Sequence, residues 1–267
     1  KNAADGNYLS TSNINVGTNN NSPVLTINPI QAAQINTITT FHVGNYEPDG
    51  DAVTFRFATA AEMGASNYVL PAGTLINTTT GMVTIDGVGK LLNAQYALGI
   101  VVSDGNTSVM VDLIINMVAQ SNPPQYDYAV TPLDSKVFQI APGQNLSFIV
   151  KAFDTDSGST VFLTAIGLPI GSTFPLVAAS NPVATAFSWT PTATQFGTYV
   201  VNFTATDNAN VQTPTFITIV VSLKPVFDVP PTPAYGIELA TQPGTPFQFT
   251  IQASDLDPLD LVRLTDV

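Results

Sequence analysis

Closely spaced carboxylates are the side chains of this sequence whose types and spacing could do chemistry. They stand at Glu47, Asp49 and Asp51 (EPDGD), at Asp154 and Asp156 (DTD) and at Asp255 and Asp257 (DLD), with single acids at Asp104 (SDGN) and Asp207 (TDNA). Carboxylates without imidazole or thiolate beside them suit a hard cation, and calcium's flexible coordination by roughly six to eight oxygens suits loops and backbone carbonyls. Three carboxylates within ~5 Å at an effective dielectric of ~20 repel by roughly 3 kcal/mol per pair, so a converged set favours a bound cation. The alternative is turn chemistry, in which Asp caps its own backbone and Gly accepts a positive φ. For Asp49-Gly50-Asp51 alone that explanation suffices, but more than half of the 19 acids fall in these two classes of loop, which favours calcium.

Other chemistries are poorly served. The chain has no cysteine, which excludes a disulfide scaffold and thiolate-ligated metals. His42 is the only histidine and lies in the strand-like run ITTFHVG. Nucleophile elbow, phosphate loop and paired zinc histidines are absent, so no enzyme is expected. Asp154 and Asp207 could be drawn as a glycosidase pair, but their recurrence along the chain argues for structural duty. Five Asn-x-Ser/Thr sequons, at Asn20, Asn77, Asn106, Asn145 and Asn202, are what chance gives in a chain rich in these residues.

The acids need elements to hold them. Each cluster follows a run of alternating or near-continuous apolar residues; 146–152, 199–205 and 216–221 have the strand pattern, bounded by Pro, Gly and Asn turns. In a two-sheet sandwich the loops bearing Asp154 and Asp156 lie at the same end as the loop bearing Asp207. Trp189 and Tyr199 read as core and corner residues, which leaves Tyr126, Tyr128 and Tyr235, all beside linkers, as candidate exposed aromatics. A net charge of −12 with seven basic residues excludes nucleic acid as a partner. No apolar run reaches the roughly eighteen residues of a membrane span, and Lys1 opens no signal-peptide pattern, so the expectation is a mature or excised piece.

These elements repeat. From Asp5, Asp104 and Asp207 an apolar-rich strand leads to Pro23, Pro123 and Pro225 after 18 or 19 residues. Leu70-Pro71-Ala72-Gly73-Thr74 matches Leu168-Pro169-Ile170-Gly171-Ser172, and Tyr96 stands before Asp104 as Tyr199 stands before Asp207. The period, about one hundred residues, is that of one sandwich. The frame that follows is 1–22 as the last strand of a preceding module, 23–121 and 122–223 as complete modules, and 224–267 as the start of a further one. The first module carries an insertion at about 60–67, in TAAEMGAS, the one stretch with helical character.

The second module shows in order 141–148 (APGQNLSF), 152–158 (AFDTDSG), 168–172 (LPIGS), 187–192 (FSWTPT), 197–201 (GTYVV) and 204–207 (TATD). This pattern resembles the immunoglobulin-like and cadherin-like repeats of large prokaryotic cell-surface proteins. The first module matches it with Glu47 at the first acidic place and Ile85 at the Trp place. The resemblance implies an all-β fold of tandem Ig-like/cadherin-like β-sandwich modules, and calcium between successive domains held by Glu47, Asp49 and Asp104, by Asp154, Asp156 and Asp207, and by Asp255 and Asp257. Gln120-Ser121-Asn122-Pro123-Pro124 replaces the acidic animal cadherin linker, and Thr78-Thr79-Thr80-Gly81 replaces an upstream acidic motif, so one ion per junction is expected. The functional expectation is a structural or adhesive segment of an extracellular stalk, fibre or surface layer, stiffened by calcium, whose partners are neighbouring modules, copies of itself or cell-surface glycans. The alternative is a spacer or carbohydrate-binding module of a secreted polysaccharide-acting protein.

Overall fold

A computed structural model of the chain describes residues 11–13, 20–65, 67–255, 262 and 264, and every regular element among them is a strand. The first complete module holds β2 (Val24–Thr26), β3 (Ile30–Gln34), β4 (Ile38–His42), β5 (Gly44–Tyr46), β6 (Thr54–Phe57), β7 (Thr74–Ile76), β8 (Met82–Asp86), β9 (Gln95–Ser103) and β10 (Ser108–Val118). Strands β4 and β5 are one strand broken at Val43: β4 pairs with β8, β8 with β7, and β5 with β2, all antiparallel. The facing sheet runs β6–β9–β10, with β3 added parallel along Ile114–Val118. Leu98, Ile100 and Val102 alternate inward from β9 to meet Phe41, Val43, Val83 and Ile85, which fills the core.

The second module repeats this plan with β11 (Gln125–Tyr126), β12 (Lys136–Ile140), β13 (Leu146–Phe153), β14 (Val161–Ile166), β15 (Val183–Trp189), β16 (Gly197–Asp207) and β17 (Gln212–Val221). One sheet is β11–β13–β15 and the other β12–β17–β16–β14, with β12 parallel to β17. The counterpart of β7 shrinks to a single bridge between Thr173 and Ser188. Trp189 is buried, as expected; its indole N–H donates to the Ile170 carbonyl at 3.2 Å, and the half-buried Tyr199 packs edge-on against it. Tyr126 belongs to this core too, which removes it from the exposed aromatics; its apolar ring fills the space between sheets.

Of the third module, β18 (Val226–Phe227) pairs with β19 (Ala253–Ser254) as β11 pairs with β13. Its first turn is a copy: Thr131 trades hydrogen bonds with the Lys151 backbone, and Thr232 does the same with Gln252. At the other end lies β1 (Thr11–Asn13). It pairs antiparallel with Ser108–Met110, completing the stretch of the β10 edge that β3 leaves open. An open edge offers unpaired N–H and C=O groups, and these recruit the nearest extended segment. The insertion is also not helical. Residues 59–65 form successive tight turns, opened by a reciprocal cap in which Thr59 and Glu62 bond each other's backbone N–H.

The two complete modules lie side by side. Val200, Asn202, Thr204, Thr206, Phe216 and Thr218 point away from the second core, yet all are buried. Strands β2 to β5 of the first module cover them: His42 stacks on Phe216 with ring centroids 5.8 Å apart, and the Ala32 N–H donates to Gln212 Oε1 at 3.0 Å.

Candidate cation site and linker clamp

The acidic residues sit where strands end. Glu47, Asp49 and Asp51 follow β5, and Asp154 and Asp156 follow β13; Asp104 and Asp207 close the β9–β10 and β16–β17 hairpins. As expected, the two loops of the second module lie together, since Val161 pairs with Asp207 and the Ser159 hydroxyl donates to Asn208 Oδ1 at 3.0 Å.

Within each loop pair the acids divide their duties. Asp156 is turned to the linker: it accepts the Asn122 backbone N–H and the Ser121 hydroxyl, both at 2.9 Å, and the Asn122 side-chain amide. Asp49 does the same upstream, accepting the Asn21 backbone N–H at 2.5 Å and its side-chain amide at 2.9 Å. The second acid of each motif thus clamps a linker asparagine through both carboxylate oxygens. The Asn122 and Ser121 hydrogen bonds hold the Asp156 carboxyl below its usual range. Residues Asn21 and Asn122 were not singled out by sequence reasoning, although an asparagine just ahead of the module-opening proline in both linkers was the available signal.

The first acid of each motif folds its own loop. Asp154 Oδ1 accepts the Asp156 N–H at 2.7 Å, and Asn181 brackets the Asp154 backbone from both sides. Glu47 Oε2 accepts the Asp51 N–H at 2.7 Å; burial, with a lesser contribution from Asp49, raises its pKa. Asp51 is exposed and takes part through this backbone donor.

The hairpin acids differ between modules. Asp104 accepts the Asn106 and Thr107 backbone N–H groups on one oxygen, and the Thr107 hydroxyl and Asn20 amide on the other. Burial works to raise its pKa, but those hydrogen bonds outweigh it and hold the carboxyl at about 2. Asp207 is 0% exposed and has one bond, from the Val211 N–H at 2.7 Å, on Oδ1. Its Oδ2 is buried without a hydrogen-bond partner, as are Asp154 Oδ2 and Glu47 Oε1. A buried carboxylate oxygen left unpaired is costly, and a hard cation is one way to satisfy it.

The expected convergence of three carboxylates is not what forms. Among the described residues no three Asp, Glu, His or Cys side chains gather as a metal group. Asp156 is committed to the linker, where two neutral amide donors and a hydroxyl supply what an ion would. Asp255 follows β19 as Asp154 follows β13, and Asp257 lies outside the described residues.

Residues 127–222 match the family model described as "Putative Ig domain". The chain is 25% identical over 252 residues to integrin beta-like protein A of Dictyostelium discoideum, with 78% of this chain and 13% of that protein aligned, so it spans a small part of that relative's length. Among solved structures, Drosophila N-cadherin EC1-3 is matched at a TM-score of 0.33 and 19% identity, over 76% of this chain and 68% of that one. The sialic acid binding region of a Streptococcus sanguinis adhesin is matched at 0.29 and 14%, over 77% and 78%. An endo-fucoidan hydrolase of glycoside hydrolase family 107 is matched at 0.28 and 17%, over 74% and 28%.

Proposed function

We propose, for a chain whose second module belongs to the immunoglobulin-like repeat family, a structural and adhesive role as a repeat segment of an extracellular or cell-surface protein. In this reading the junctions are kept stiff by linker clamps and, at the second module, by calcium. The observation that carries the calcium part is the pair of buried, unpartnered oxygens on Asp154 and Asp207, in adjoining loops, the first of which also grips the linker through Asp156. These two residues would hold the ion, with neutral oxygens completing its shell; its chemistry there is charge neutralisation and cross-linking, with no reaction. Asp49 and Asp156 act without it, through hydrogen bonds to Asn21 and Asn122.

Thermal melts of the whole chain with excess chelator, with 2 mM calcium and with 2 mM magnesium test this. With the ~0.1 mM affinity of a weak extracellular site, mass action adds roughly 1.8 kcal/mol. That is a rise of about 4 to 7 °C if the two modules melt together. No rise, or the same rise with magnesium, would overturn the calcium reading.

A glycan-binding reading is favoured by one feature. The seam between the modules holds a cavity of about 260 Å³ lined by Asn28, Asn116, Asn210, Gln212, Thr164 and Phe162, all uncharged. Amides and hydroxyls around an aromatic ring suit a neutral saccharide. Retention of neutral oligosaccharides by the immobilised chain, lost on Phe162→Ala, would favour this over a purely structural role.

A further inference from the structure

The sheet β9–β10 of the first module and the sheet β16–β17 of the second are the same part of the repeat, and both have their outer faces covered, by different means. On β16–β17 the cover is the neighbouring module, as described above. On β9–β10 it is the chain's own insertion: Met63 and Tyr68 pack with Ala58 against Val101 and Met110 as a small separate cluster. Gly99 lies beneath this plug, and a Cβ there would stand 2.2 Å from Met63 Sδ and 2.6 Å from Ala58 Cβ. The Ala58 N–H donates to the Gly99 carbonyl at 2.9 Å, which pins the plug to the sheet.

The opposite face, the one that does the covering, also differs between modules. In the first, the cross-strand pair Thr26–Gly44 presents almost no side chain. A Cβ on Gly44 would stand 3.1 Å from the Phe216 ring, and the Thr26 methyl lies 2.7 Å from the Cβ position of Gly167. In the second module the matching positions, one residue beyond the core pair of β11 and β13, are Asp127 and Lys151. These form an ion pair at 2.9 Å whose side chains remain 27% and 35% exposed. Covering that pair with another sheet would strip water from two charges.

We propose that these features limit sideways docking to two modules. The Thr26–Gly44 face is a docking surface for the uncovered outer face of a neighbouring sandwich's hairpin sheet. Asp127–Lys151 removes that capacity from the second module, and the plug at 58–68 removes the receptive face from the first. A repeat array carrying these marks is built of rigid side-by-side pairs joined end to end. This does not rest on the cation reading, and its test is run in chelator so that the two fail separately.

The cysteine-free chain accepts spin labels at Thr79→Cys and Ala178→Cys, exposed sites on the two modules. Pulsed dipolar measurements should give one narrow distance in the parent. Two variants attack the seam from opposite sides, Thr26→Asp with Gly44→Lys and Phe216→Asp, and each should give a broad, longer distribution while circular dichroism stays that of folded sandwiches. A distance unchanged in a folded variant overturns the docking face. The closing devices are tested by gain of function. Chain carrying Asp127→Thr and Lys151→Gly, mixed with chain in which 60–67 is replaced by two glycines, should form a 1:1 complex in sedimentation, while the parent binds neither. A mixture that stays monomeric, with both partners folded, overturns the role given to the ion pair and the plug.

Discussion

The hairpin acids Asp104 and Asp207 occupy the same place in successive modules and have opposite surroundings. Asp104 is half-buried, and both its oxygens are engaged by Asn20, Asn106 and Thr107. Asp207 is wholly buried, with one oxygen bonded and the other not. Repetition of a motif therefore does not repeat its electrostatics. What differs is the neighbourhood: threonine and a linker asparagine saturate the first carboxylate, while the second, buried behind a longer turn at 208–210, receives only the Val211 N–H.

The sharpest way to break the comparison is in the two cores, at the ends of the sandwiches away from these acids. Trp189 and Ile85 hold matching core places, and Trp189→Ala should cost about 3 to 5 kcal/mol by denaturant unfolding. Ile85→Ala should cost less, within about 2 to 5 kcal/mol, because its cavity is smaller. Equal costs would mean the modules share one cooperative unit limited elsewhere.

At the acids themselves the expected signs differ. Asp104→Ala leaves Asn20 and Thr107 without their acceptor and should destabilise by about 1 to 3 kcal/mol, with calcium or without. Asp207→Asn removes a buried charge that lacks a full set of partners, so in chelator it should be neutral or raise the melting temperature, and in calcium it should abolish the gain. A destabilisation of Asp207→Asn equal in both buffers would make the two acids alike after all.

The smallest effect is on pH. The Asp104 carboxyl is held at about 2 in the fold, below the roughly 3.9 of a free aspartate, so its stabilisation is complete above pH ~4 and is lost as pH falls toward 2. Asp156, also lowered, follows the same sign. Glu47 is raised and runs the other way, so acidification relieves it. Stability measured from pH 5 to 2 should fall, and the slope should flatten in Asp104→Asn.

Much of this protein was legible in its sequence. Alternating apolar runs, the hundred-residue recurrence of LP-x-G turns and the Tyr to Asp spacing pointed to sandwiches and a buried Trp189, because strand period and turn residues are local properties. Local patterning also placed the acids in loops at one end. It could not say which acid would meet another, since hydrogen-bond partners such as Asn122 for Asp156 are decided by where the linker comes to lie.

The outer sheet faces show the same limit. The sequence of β16 alternates Val200, Asn202, Thr204 and Thr206 with the core residues, which reads as an exposed side; only its contact with the first module buries it. Likewise the stretch TAAEMGAS carried helical propensity, but its apolar Met63 found a sheet to cover and the backbone settled into turns around that contact. The sequence by itself determined strands, turns and the inner cores, which depend on neighbours a few residues or one strand away. The side-by-side packing, the plugged face and the partner of each carboxylate depend on which surfaces meet across the fold, and only the tertiary structure decided them.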